Sequence, residues 1–204
     1  MKKQNQDKFV LGITGNIGCG KSTLAKMFKT KDSLIIDADQ LAHELYSVGS
    51  KVYQRIKKTF GPEVIKSNQA LDRKKLARII FAKKDNLSKV NRIIHPRLIK
   101  EIKEKIKNSK KKLIILDAAL IIEAGLRKIV DKLIVVTAKR EQQILRSQKR
   151  LGFSKEMIVK IMKSQISQET KSRFADFNID NSGSIAMTRK QVLALRRTCG
   201  KVRY

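Results

Sequence analysis

Residues 15–22 read Gly-Asn-Ile-Gly-Cys-Gly-Lys-Ser and match the pattern G-x-x-x-x-G-K-[ST] at every fixed position. The flanking residues make the match a constraint on the fold. An apolar run, Phe9-Val10-Leu11-Gly12-Ile13-Thr14, precedes it and reads as a buried strand. Residues 21–29 follow with helical character and offer Leu24, Ala25, Met27 and Phe28 for packing. A strand that turns through glycines into a helix presents free backbone N–H groups and the positive end of the helix to an anion. Gly15, Gly18 and Gly20 let the chain turn, so that amides of Asn16, Ile17 and Cys19 can come close to phosphate oxygens. In such a loop Lys21 reaches the β and γ phosphates of a nucleoside triphosphate, and Ser22, followed by Thr23, offers a hydroxyl to Mg²⁺. The loop specifies a triphosphate and is silent about what happens to it.

The rest of the chain continues the alternation of strand and helix. Short apolar runs at 33–36, 113–116, 133–136 and 177–180 read as strands. Residues 40–46, 52–60, 73–82 and 140–150 read as helices, as does a stretch opened by Ser154 and the segment from Ile185 onward, which carries a basic face. Asp72 is placed to cap the helix at 73–82. Residues 85–108 carry Leu87, Val90, Ile93, Ile94, Leu98, Ile102 and Ile106 at steps of three and four, the pattern of an amphipathic helix or helix pair. Pro96 lacks an amide donor, so a break or kink is expected near His95. The alternation predicts an α/β fold with a mainly parallel central sheet. With 204 residues, no internal repeat and no linker, the chain fits one elaborated domain or two small ones.

Charge narrows the partner to an anion. Lys plus Arg number 47 against 18 Asp plus Glu, a net charge of +29. Aromatic residues are only 5%, which weakens the case for stacking on single-stranded nucleic acid. No RRM, KH or helix-turn-helix signature stands out either. No stretch approaches the roughly 18 to 20 apolar residues of a membrane span. The apolar run at 9–13 is too short for a secretory signal. Cys19 and Cys199 have neither disulfide-framework nor zinc spacing, so a cytoplasmic location is expected.

Asp37 and Asp39 follow the second strand, where ligands of open parallel sheets bind. Either could cap the next helix, and either could serve as a base for an acceptor hydroxyl. Asp117 ends the third strand, where a magnesium-associated carboxylate would lie. Glu123 fits a site or a solvated helix equally well. Arg146 and Arg150 lie four apart and can converge on one helical face.

In order along the chain, residues 12–23, Ile36-Asp-Ala-Asp39, Ile94-His-Pro96, Leu116-Asp-Ala-Ala-Leu-Ile-Ile-Glu123, the two arginines and Ala175-Asp-Phe-Asn-Ile-Asp-Asn-Ser-Gly-Ser184 together resemble the dephospho-coenzyme A kinase family. The resemblance spans roughly residues 9–184. It implies a P-loop kinase-like three-layer fold with a helical acceptor-binding region and a helical lid. The implied layout is a single domain over 9–204, with a core at about 9–39, 112–140 and 174–200. The acceptor region falls at about 40–111, the lid at about 141–173, and a basic extension at 1–8. The implied reaction moves the γ-phosphoryl of ATP, with Mg²⁺, to the ribose 3′-hydroxyl of dephospho-CoA. By motif, Asp39 falls as the base, Thr14 on the acceptor side, and His95, Asp117 and Glu123 in the acceptor-binding part. Arg146 and Arg150 face phosphates, and Asn181 lies in the segment against the ATP base. Ala119 stands where the family usually has proline. Another small-molecule or nucleoside monophosphate kinase is the nearest alternative, and a nucleic-acid-binding ATPase a more distant one.

Overall fold

The structure is a computed structural model that describes residues 8–199, with side chains described through Arg196. The extension at 1–7 and the end of the basic tail lie outside the described residues. Strands Phe9–Thr14 (β1), Ser33–Asp37 (β2), Leu113–Asp117 (β3), Lys132–Thr137 (β4) and Phe177–Asp180 (β5) form one sheet in the order β2-β3-β1-β4-β5. Every neighbouring pair is parallel. The carboxyl ends therefore share one edge: Asp117 is in register with both Ile13 and Asp37.

The near-continuous apolar strands are explained by burial on both faces. Val10, Ile114, Leu116, Leu133 and Val135 turn to one face. There they meet Leu41 of Ala38–Glu44 (α2) and Ile102 and Ile106 of Lys84–Asn108 (α5). Leu11, Ile13, Ile115, Ile134 and Val136 turn to the other, against Leu24, Ala25 and Phe28 of Lys21–Phe28 (α1) and Val192 of Ile185–Cys199 (α9). Two further clusters sit beside this sandwich. One joins Lys51–Phe60 (α3), Arg73–Ala82 (α4) and the first half of α5 around Ile56, Leu76, Ile80 and Ile93. The other joins Arg140–Leu151 (α6) and Lys155–Lys163 (α7) to Ile17 through Ile144, Ile158 and Ile161. A short helix, Gln168–Ser172 (α8), was not foreseen.

Asp72 and Ser154 cap α4 and α7 as expected, accepting from Lys75 N at 3.0 Å and Met157 N at 3.3 Å. Of the break or kink expected near His95, the break does not occur. α5 runs unbroken for 25 residues through Pro96. Its residues before the proline are buried in the α3–α4 cluster and those after it against the sheet, so one helix bridges two cores. An interior proline costs about 3 kcal/mol. Burying several Val and Ile side chains at roughly 1.5–3 kcal/mol each outweighs that. No described helix is long and apolar enough to cross a membrane.

Asp176 fixes the far end of the sheet. Its carboxylate accepts from Leu133 N at 2.8 Å, Lys132 Nζ at 2.9 Å and Arg127 Nη2 at 3.0 Å. Burial pushes this carboxyl up, but the bonds from Lys132 and the Leu133 amide and the two cations prevail and hold it below its usual value. A lowered folded pKa stabilises above the unfolded value, near 3.9, and the gain is lost as pH falls through the folded value. Thermal melts of Asp176→Asn should therefore show a deficit against the unsubstituted chain at pH 7 that shrinks below about pH 4.

Candidate active site

The loop at 15–22 lies at the carboxyl end of β1, the middle strand of the sheet, and is buried at Gly15, Asn16, Ile17, Cys19 and Lys21. Gly18 and Gly20 have φ of 75° and 95°, a region that favours glycine. A side chain at Gly18 would strike the Gln143 carbonyl, and one at Gly20 the Asn181 amide. Contacts from remote segments hold the loop. Asn181 Nδ2 donates to the Cys19 carbonyl at 2.8 Å, and Thr188 Oγ1 donates to Asn181 Oδ1 at 2.8 Å. Asn16 Nδ2 donates to the Ile166 carbonyl at 3.2 Å, and the Ile17 amide donates to Gln165 Oε1 at 3.0 Å. Cys19 is a free thiol pushed up by burial, so its sulfur is no ready thiolate and its backbone is what matters. The side chain of Cys199 lies outside those described.

Three carboxylates stand beside this nest. Asp37 is the cap of α2, accepting from Gln40 N at 3.0 Å, while Asp39 in the first helical turn is exposed and does not cap. Which of the two acids caps α2 is thus resolved. Asp117 is buried, with the Ser22 hydroxyl close enough to pull its carboxyl down. Burial pushes its carboxyl up, Ser22 and Lys21 pull it down, and Asp37 and Asp39 push it up again. Ser22, Lys21 and the three acids therefore share one charge cluster at the sheet edge. A hydroxyl and a carboxylate are hard oxygen donors, the set that suits Mg²⁺ bound mainly by phosphate and water.

Thr14 is fully buried behind this edge, its hydroxyl donating to the Ala119 carbonyl at 3.1 Å. The same carbonyl accepts from Lys171 Nζ at 2.7 Å. Both contacts use an atom that proline also has, so the alanine costs this arrangement nothing. Lys171 is 0% exposed and pairs with Glu123 at 2.9 Å. Burial pushes its ammonium below the usual range and Glu123 opposes that. Glu123 also accepts from Ile166 N at 3.3 Å, and its Oε2 is buried without a partner. It lies in a turn rather than on a solvated helix.

Glu123 and His95 line one cavity of about 800 Å³ between α5 and α7. Burial pushes the His95 imidazole below its usual range against the pull of Glu123, which favours a neutral ring. Arg146 Nη2 donates to the Asn181 carbonyl at 3.1 Å, on the loop side of α6. Arg150, one turn on, is exposed. The structure thus gathers the loop, Thr14, Asp39, Asp117, Asn181 and Arg146, and sets His95 with Glu123 in an adjoining cavity.

A family model, dephospho-CoA kinase, matches residues 9–187. The chain belongs to the dephospho-CoA kinase family. A dephospho-CoA kinase of Aquifex aeolicus strain VF5 is 46% identical over 183 residues, covering 89% of this chain and 93% of the relative. Among solved structures, TT1252 from Thermus thermophilus superposes with a TM-score of 0.76 at 27% identity, over 95% of this chain and 98% of that one. Dephospho-CoA kinase from Campylobacter jejuni gives 0.66 at 26% identity, over 96% and 98%. Within the dephospho-CoA kinase frame, the residues that sequence reasoning missed are Gln165, Ile166, Lys171 and Thr188. Gln165 and Ile166 contact the loop, Lys171 contacts the turn after β3, and Thr188 reaches the loop only through Asn181.

Proposed function

We propose that the chain transfers the γ-phosphoryl group of ATP to the ribose 3′-hydroxyl of dephospho-CoA in the cytoplasm, yielding CoA and ADP. The observation that carries this reading is the buried amide nest at 15–22 with the uncapped Asp39 beside it, in a member of this family. Residues 15–23 hold the ATP phosphates through main-chain N–H groups, Lys21 and the hydroxyls of Ser22 and Thr23. Asn181 serves the nucleotide by fixing the loop carbonyl. Arg146 and Arg150 bring guanidinium charge from α6.

Ser22 and Asp117 are the residues that would hold Mg²⁺. When bound, that ion neutralises charge on the β and γ phosphates. Asp39 accepts the proton of the 3′-hydroxyl as its oxygen attacks the γ phosphorus in line and the bond to ADP breaks. Lys21 stabilises the charge that grows on the transferred group and on ADP. His95, Asp117 and Glu123 border the acceptor side, where neutral His95 and the unpaired Glu123 oxygen can meet polar edges of the adenosine. Thr14 steadies the Ala119 turn on that side. The layout we infer is one kinase domain over 9–204, with core, acceptor region and lid at the expected bounds. The separate packing of α3–α5 and of α6–α7 supports it.

Purified protein with Mg-ATP should phosphorylate dephospho-CoA at the 3′-position, read by mass spectrometry, in preference to a panel of nucleoside monophosphates. Transfer to the panel instead would refute the acceptor assignment. Asp39→Asn should fold and bind ATP normally yet lose roughly 100-fold or more in kcat. An unchanged kcat would remove Asp39 as the base.

A further inference from the structure

A loop that turns its amides toward an anion turns carbonyls away from it, and each buried carbonyl needs a donor. At Cys19 that donor comes from far along the chain. Asn181 Nδ2 donates to the Cys19 carbonyl at 2.8 Å. Cys19 sits between Gly18 and Gly20, whose φ values of 75° and 95° set the curve of the loop. The peptide that joins Cys19 to Gly20 is planar and trans, so its C=O and N–H point in opposite directions. Holding the Cys19 carbonyl toward Asn181 therefore aims the Gly20 N–H the other way. Gly20 is the N-cap of α1, so that N–H lies outside the helix ladder, among the amides that a helix start offers to an anion.

What orients Asn181 lies on α9. A carboxamide has two ends of nearly equal size, and only the amino end can donate to a carbonyl. Thr188 Oγ1 donates to Asn181 Oδ1 at 2.8 Å, which selects the orientation with Nδ2 on Cys19. In the reversed orientation the Asn181 oxygen would face the Cys19 oxygen. The other acceptor within reach of the hydroxyl, the Ser184 carbonyl, is farther off at 3.4 Å. Asn181 and Thr188 are 8% and 1% exposed, so bulk water does not substitute for either. The frame around them is fixed. Asn181 N donates to the Thr137 carbonyl at 2.9 Å. Gln191, one turn beyond Thr188, donates to the Asp180 carbonyl at 2.8 Å and accepts from the Asp180 N–H at 3.1 Å, while Val192 packs into the sheet core. Rotation of the Asn181 side chain is what this frame leaves open, and Thr188 closes it.

We propose that Thr188 is a positioning residue for the nucleotide: by fixing the carboxamide of Asn181 it aims the Gly20 N–H into the phosphate nest. The inference rests on the donor side of the function proposed above and adds a residue to it. Thr188 acts through Asn181 and the Cys19 carbonyl, so its effect falls on the affinity for phosphate-bearing nucleotides. None of the four residues in this relay borders the acceptor side, and affinity for the acceptor is therefore independent of Thr188.

The test compares Thr188→Val, which keeps the shape and removes the hydroxyl, with Thr188→Ser, which keeps the hydroxyl and removes a methyl. Both alter a buried site, so both should melt lower, and binding is measured well below either melt. The readouts are calorimetric titration with Mg-ADP and steady-state kinetics. In Thr188→Val, Kd for Mg-ADP and KM for ATP should rise about 10-fold, or about 1.4 kcal/mol, the scale of one buried hydrogen bond. KM for dephospho-CoA should stay within about twofold, and Thr188→Ser within about threefold of the unsubstituted chain throughout. In an Asn181→Ala background, Thr188→Val should change Kd by less than about twofold, because nothing is left to orient. Should the valine variant not fold, Thr188→Ala makes the same comparison without the second methyl. A hydroxyl-free variant that melts lower yet binds Mg-ADP normally would overturn the assignment. So would a serine variant as weak as the valine one, an equal rise in KM for dephospho-CoA, or an undiminished effect in the Asn181→Ala background. If the unsubstituted chain does not bind Mg-ADP at all, the reading of residues 15–22 falls and takes Thr188 with it. Binding that is indifferent to the missing hydroxyl removes Thr188 alone.

Discussion

Replacing Lys21 with alanine is expected to lower kcat at least ~100-fold, about 3 kcal/mol of transition-state stabilisation, without lowering the melting temperature appreciably. Lys21 opens α1 and is 7% exposed, held between the loop and the acids at the sheet edge. Its ammonium is the positive charge that the loop itself contributes, and negative charge grows on the transferring phosphoryl group where that ammonium can reach. Alanine is the best helix former, so the helix start should survive. Single-turnover transfer separates the chemical step from nucleotide binding. A variant that turns over near normally would remove Lys21 from the chemistry.

Lys171→Met should destabilise the fold by about 3–5 kcal/mol, because it strands a buried carboxylate. Glu123 would keep only the Ile166 amide, and the Ala119 carbonyl would be without its shorter hydrogen bond. For a chain of this length the melting temperature should fall on the order of 10 °C. A second substitution, Glu123→Gln in the same chain, removes the stranded charge and should recover part of the loss. A single variant as stable as the unsubstituted chain, or a double variant that loses the sum of both effects, would show that the pair is not the coupled, desolvated contact described here.

The two lysines mark what the sequence discloses and what it hides. Lys21 was legible because phosphate binding is local: glycines, lysine and hydroxyl sit within eight consecutive positions, between an apolar strand and a helix. The parallel sheet was legible for a related reason, since strands buried on both faces must be apolar throughout. Lys171 was not legible. Its partner carbonyl lies 52 positions away, and one lysine among 47 basic residues carries no mark of burial. Asp37 and Asp39 were visible as a pair, but which of them caps α2 depends on where that helix begins. Pro96 does not break α5, because the rule about helix interiors is local, while the packing that carries α5 past it joins two separate cores.

The clamp on the loop has a consequence for how the protein is made. The side chain that holds the Cys19 carbonyl lies 162 positions after it, and Thr188 later still. The nascent chain therefore carries the complete nucleotide-binding signature long before it carries a finished nucleotide-binding surface. A chain without β5 and α9 therefore lacks the clamp on the Cys19 carbonyl.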